Sequence, residues 1–301
     1  MVHFYGKIML IALILCGSGG LSFGEDKPLK VFVSILPQKY FVQQIGGRLV
    51  DVQAMVQPGA SPHTYEPKPG QMRDLSAAAL YFAIGVPFED TWLNRFQAAN
   101  PKMVVVHTEQ DIEKIPMASH EHGLEEGDHP AENGHDHDDA ELDPHIWLSP
   151  PLVKLQASRI RAALEQRDPS HTALYKANYD QFLSRIDELD ERLKRVFAAE
   201  KGLAFMVFHP SWGYFAAHYG LEQIPVEIEG KSPKPAQLQA LIREARQKGI
   251  KVIFAQPQFS VKSADLIARA IGGQVVFADP LAEDWMANLR QAADKFEAAL
   301  R

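Results

Sequence analysis

The stretch from Pro169 to Ala199 constrains this chain more than any other. Leu174, Phe182, Ile186, Leu189, Leu193 and Val196 recur there at helical spacing, with Asp168 or Ser170 placed to cap the start. At 1.5 Å per residue such a helix spans roughly 45 Å, which is longer than a small domain. The expectation is a stiff rod that bridges two lobes.

On both sides of the rod, strands alternate with helices. Before it, the apolar runs "LKVFVSILP", "VDVQAMV", "ALYFAIG" and "KMVVVH" read as buried strands. The segments 38–45, 71–78, 89–98 and 151–166 read as helices, and "QPGASPHTYEPKPG" as a loop. After Gly202 the pattern restarts with "LAFMVFH", "LEQIPVEI", "KVIFAQP" and "QVVFADP" as strands. Helices are expected over 213–218, 235–248, 261–271 and 284–300. The predicted fold class is α/β, with two lobes, each a mostly parallel sheet covered by helices, joined by one long rigid helix. No repeat of solenoid period is present.

The chain of 301 residues with 46% hydrophobic content can bury a real core, and its formal charge of −7 without a basic stripe argues against nucleic acid as a partner. Lys7, the apolar run from Ile8 to Leu15 and the small residues of Ser22-Phe23-Gly24 make residues 1–24 a secretory signal peptide, too short in its apolar part to span a bilayer. Lipid anchoring through Cys16 is the lesser alternative, because Leu15 precedes it where a lipobox has a small residue. If Cys16 leaves with the signal, any metal must be held by His, Asp, Glu or water. The expected divisions are an N-terminal lobe over 25–168, a connecting helix over 169–200 and a C-terminal lobe over 201–301. The first lobe carries a His- and acid-rich loop over 118–143. Within it, the twenty residues from His120 hold five histidines (His120, His122, His129, His135 and His137), eight acidic residues and no Lys or Arg. That composition cannot bury a core.

In open α/β sheets, ligands bind at the carboxyl ends of the strands. His63 follows the second strand, His209 follows "LAFMVF" and Asp279 follows "QVVFA"; His145 follows the long loop in "LDPHIWLSP". Three imidazoles and one carboxylate suit a four-coordinate zinc-like divalent ion, with two ligands from each lobe. Each residue also has an ordinary turn role open to it. His107 ends a strand too and stands as a further candidate, whereas His171 and His218 fall in helices.

The segments "SPHTYEPKPGQMRDLSAAALYFAIGVPFEDTWL", "DPHIWLSP", "DPSHTALYKANYDQFLSRIDELD", "FHPSWGYFA" and "FADPL" resemble the zinc-type metal-binding proteins of bacterial ABC importers, the ZnuA/TroA-like family. The likeness runs in order along nearly the whole mature chain. It implies a monomeric periplasmic carrier that binds Zn2+ as transported cargo at His63, His145, His209 and Asp279. Its partners would be the importer's membrane permease and ATPase. His209 stands where manganese-type relatives have Glu, and an acidic, His-rich loop is typical of zinc members. On that reading, the five loop histidines form a secondary, low-affinity metal trap; a solvated tether is the plainer alternative. Gln256 and Lys234 depart from the family pattern, which commonly has acidic residues there.

Two other readings stay beside the carrier: a manganese-binding or adhesin-like member of the family, and a secreted zinc hydrolase. The hydrolase would need an open metal position and a base such as Glu66. The chain has no His-Glu-x-x-His helix and no Gly-x-Ser-x-Gly elbow, so it is not expected to be an enzyme.

Overall fold

In the computed structural model, residues 27–118, 141–198, 202–228 and 230–300 are described. The proposed signal segment, Cys16 and the five loop histidines lie outside them.

The first sheet is built from β1 (Leu29–Val33), β2 (Val50–Ala54), β3 (Leu80–Ala83) and β4 (Val104–His107), all parallel, in the order β2-β1-β3-β4. β3 is buried throughout, as expected of a central strand with helices on both faces; β2 and β4 are the edges, and β4 is half exposed. Helices α1 (Leu36–Gly46), α2 (Pro69–Leu75) and α3 (Pro87–Ala99) connect these strands. Each carries Pro in its first turn, where a missing N–H costs nothing. Helix α4 (Pro150–Arg167) then leads to the long helix α5 (Thr172–Phe197).

The rod is shorter than the periodicity suggested. Pro169–His171 form a 3-10 turn because the Asp168 carboxylate gathers Ser170 Oγ, His171 Nδ1 and the Tyr175 hydroxyl at 2.6, 2.7 and 2.8 Å. The buried stripe is Tyr175, Phe182, Ile186, Leu189, Leu193 and Phe197; Leu174 faces solvent. The 26 residues of α5 span roughly 39 Å.

The second sheet repeats the first. β5 (Ala204–Val207), β6 (Glu222–Pro225), β7 (Val252–Ala255) and β8 (Gln274–Phe277) are parallel in the order β6-β5-β7-β8. Helices α6 (Gly213–Tyr219), α7 (Pro235–Gln247), α8 (Lys262–Ile271) and α9 (Trp285–Leu300) complete this lobe. Strand β6 ends at Pro225, three residues before the end expected from the apolar run "LEQIPVEI".

The lobes are not separate bodies. One apolar core runs from β1 and β3 through α4 and α5 to α9, β5 and β7, while a second core fills the far face of the second sheet. Phe296 of α9 packs against Phe254 and Phe205 at 4.0 and 4.8 Å between ring centres, and Trp285 packs edge-on to Phe41 of α1 at 5.2 Å. Two indole N–H groups stitch the lobes: Trp147 Nε1 donates to Pro280 O and Trp285 Nε1 to Trp147 O, at 2.7 and 2.6 Å. Among the described residues, no helix is long and apolar enough to cross a membrane.

Candidate metal centre

Both sheets turn their carboxyl ends toward one cavity. His63 enters on the loop after β2. That loop is held by Phe88 N–H on Pro62 O (3.2 Å) and by Ser61 Oγ, which accepts from His63 N–H at 3.2 Å. Behind it, the buried Glu89 carboxylate takes hydrogen bonds from Ser34 Oγ, Ile84 N–H and Gly85 N–H; burial pushes its pKa up to about 7.

His145 lies between an antiparallel bridge, Pro116 with Leu142, and a 3-10 turn, Ile146–Leu148. His209 follows β5. Gln256 holds its backbone from both sides, accepting from His209 N–H at 3.1 Å and donating to His209 O at 2.5 Å.

The three rings meet nitrogen to nitrogen. His209 Nε2 lies 3.1 Å from His63 Nε2 and 3.3 Å from His145 Nε2. A tetrahedral zinc with Zn–N of about 2.05 Å has ligand–ligand edges of roughly 3.3 Å. The ring tautomers sharpen the point. His145 Nδ1 faces Asp143 Oδ1 at 2.7 Å and His209 Nδ1 faces Glu227 Oε1 at 2.6 Å. A carboxylate only accepts, so each Nδ1 carries a proton, and in the neutral ring Nε2 then carries the lone pair. Two buried lone pairs 3.3 Å apart repel unless a cation lies between them.

Charge is kept off His63 and His145. Burial, then the neighbouring imidazoles of His145 and His209, push His63 down to about 3. Burial also lowers His145, against the pull of Asp143. Neutral imidazole is the metal-binding form. Pro62, Trp147, Phe259, Pro280 and Leu281 wall the cavity with apolar surface, and Phe259 stacks on His209 at 4.8 Å.

Of the four expected ligands, the structure gathers His63, His145 and His209 into one group whose ligand atoms lie within 4.8 Å of one another. Asp279 is not in that group. Its Oδ1 accepts from Gln258 Nε2 (2.8 Å) and Leu281 N–H (2.9 Å), and Gln258, Pro280 and Leu281 themselves line the cavity. Glu66 is exposed and lines none of it. His107 is exposed and paired with Glu109 at 2.7 Å, and His218 lies beside Asp190 at 3.3 Å. Lys234 is exposed at the start of α7.

Three side chains that contact the histidines or line their cavity are not singled out by the sequence reading. Asp143 sits two residues before His145, a spacing that could have revealed it. Glu227 was counted inside a strand, although it lies just past the end of β6, where the strand-end rule looks for ligands. Gln258 follows the end of β7 and was passed over for Gln256.

Comparison with known proteins gives a consistent family. The model of the family described as ZnuA, zinc-uptake complex component A periplasmic, matches residues 31–299. The high-affinity zinc uptake system protein ZnuA of Bacillus subtilis (strain 168) is 28% identical over 266 residues, covering 86% of this chain and 81% of that protein. A crystal structure of ZnuA superposes with a TM-score of 0.82 at 40% identity, covering 91% of this chain and 100% of that one. A ZnuA deletion mutant with zinc bound gives 0.80, also at 40% identity, covering 91% and 98%.

Proposed function

The chain belongs to the family of periplasmic zinc-uptake component A proteins, and on that footing we propose that it captures Zn2+ outside the cytoplasmic membrane and delivers it to an ABC importer. One observation carries the reading: the Nε2 atoms of His63 and His145 lie 3.1 and 3.3 Å from that of His209, with Nδ1 of His145 and His209 tied to carboxylates. Zinc fits this nitrogen-rich site, whereas manganese and calcium favour oxygen. In this reading His63, His145 and His209 are the nitrogen ligands, and Asp279 supplies the charge on the fourth side.

A carrier, not an enzyme, matches these surroundings. Among the described residues Pro62, Trp147, Phe259, Pro280 and Leu281 line the cavity beside Ser61 and Gln258, and the proposed base Glu66 lies off it. Catalytic zinc keeps an open position for water beside a base. Residues 1–24 act as the export signal and place the chain in the periplasm, and the partners are the importer's permease with its ATPase. His120, His122, His129, His135 and His137 collect zinc at low affinity. The lobe boundaries follow the helix: 25–168, 169–200 and 201–301.

The test is metal content of the protein from its native compartment, with titration of His63→Ala, His145→Ala and His209→Ala. One tightly held zinc is expected, with affinity falling on the order of 100-fold or more in each variant. Unchanged titrations in all three would overturn the site. Manganese in the native protein would overturn the cargo.

A further inference from the structure

Two glutamines two residues apart behave differently. Gln256 has both ends of its amide engaged, with His209 N–H, His209 O and Ser211 Oγ. Gln258 lines the histidine cavity with only one end engaged: its Nε2 donates to Asp279 Oδ1 at 2.8 Å. Because a carboxylate oxygen only accepts, that bond fixes which end of the amide faces Asp279. Oε1 is therefore turned away from Asp279. It is buried and has no hydrogen-bond partner among the described residues. Leu281 N–H, at 2.9 Å on the same Oδ1, holds Asp279 in turn. Buried acceptors without partners are uncommon because nothing repays their lost water. One that lines a cavity of converging metal-type ligands has an obvious use.

We propose that the oxygen face of the zinc site is a Gln258–Asp279 unit. Gln258 Oε1 is a neutral oxygen donor to the metal, and Asp279 supplies charge and locks the amide with its oxygen outward. The proposal rests on the carrier reading and deepens it. Zinc accepts carbonyl oxygen and expands to five ligands without a crystal-field penalty. Three imidazoles, one carboxylate and one amide oxygen make such a set.

Gln258→Met keeps the length of the side chain and removes the amide N–H and the carbonyl oxygen, leaving only a weakly accepting thioether. One equivalent of Co2+ alone is the probe, so that only the tightest site fills, alongside competitive Zn2+ titration. Zinc affinity should drop about tenfold, the lower end for loss of a supporting group. The visible Co2+ bands should strengthen, because a four-coordinate ion absorbs more than a five-coordinate one. Gln258→Met combined with Asp279→Ala should cost less than the two single losses together, because the residues act as a unit. Gln258→Leu, which likewise offers no oxygen, should strengthen the Co2+ bands in the same way and serves if the Met variant fails to fold. Unchanged Co2+ bands in Gln258→Met overturn the donor assignment even if affinity falls, since Gln258 would then only orient Asp279. Additive losses overturn the unit. A wild-type protein without zinc at its histidines would instead overturn the carrier reading, a result that none of these variants is needed to see.

Discussion

Removing the Glu227 side chain tests how the site is prepared for metal. Glu227 Oε1 accepts the Nδ1 proton of His209 at 2.6 Å, and both residues are only 6% exposed. Water is poorly placed to substitute. In Glu227→Ala, His209 loses the partner that fixes its tautomer, and its proton can move to Nε2, the atom aimed at the other histidines. Loss of such a partner costs roughly 10–100-fold in metal affinity, or about 1.4–2.7 kcal/mol. The upper part of that range is expected here, because the bond is short, charge-assisted and buried. Glu227→Gln keeps a carbonyl oxygen for the Nδ1 proton and should lose less, on the order of tenfold or below. Competition with a chromophoric chelator measures both. If Glu227→Ala binds zinc within twofold of wild type, or if the Gln variant loses as much as the Ala variant, tautomer control by this carboxylate is refuted.

Three further outcomes are expected. In the metal-free protein the folded pKa of His63 lies at about 3, below its ordinary 6.5, so between those values the unfolded chain binds a proton that the folded chain refuses. Stability is therefore present above about 6.5 and lost as pH falls through that window; His63→Gln should melt with a shallower pH dependence between pH 7 and 4, and parallel curves would contradict this. A Cβ at Gly213 would lie 2.5 Å from Asp143 Oδ2, the carboxylate that orients His145, so Gly213→Ala should lower stability by about 1–3 kcal/mol and weaken zinc binding, as calorimetry and titration would show. Deleting residues 119–139 should leave apo melting and the tight site intact while abolishing zinc bound beyond one ion, because Met117 N–H already meets Glu141 O at 2.8 Å across the stem. Loss of the tight site on deletion would show that the segment supplies primary ligands.

The strand-end rule reached His63 and His209 because β2 and β5 are apolar runs with abrupt ends. It could not separate them from His107, which also ends a strand; only the folded chain shows His107 exposed and paired with Glu109, off the cavity that His63 and His209 line. Asp279 illustrates a different limit. Its place after β8 was legible, but its bonds to Gln258 and Leu281 depend on how two loops meet. Glu227 was hidden by hydrophobic pattern: "QIPVEI" reads as strand, yet pairing with β5 stops at Pro225. The rod was legible in its middle and blurred at its start, where the Asp168 carboxylate competes for the first turn.

The core that passes unbroken from α1 through α5 to α9 bears on how cargo leaves. Two shells joined by a slender hinge can release an ion by gaping, so that escape is as fast as the hinge. Here a gaping motion would have to part Trp285 from Phe41 and break both indole hydrogen bonds, Trp147 to Pro280 and Trp285 to Trp147. Withdrawal of a single loop, one ligand at a time, would break none of these contacts. The loop of His63 is the natural first to go: among the described residues its Nδ1 meets no carboxylate, and its ring is the least enclosed of the three. A receiving partner would then act less like a lever between lobes than like a finger on one latch, and the dwell time of the ion would be set by that partner and not by the carrier's own breathing.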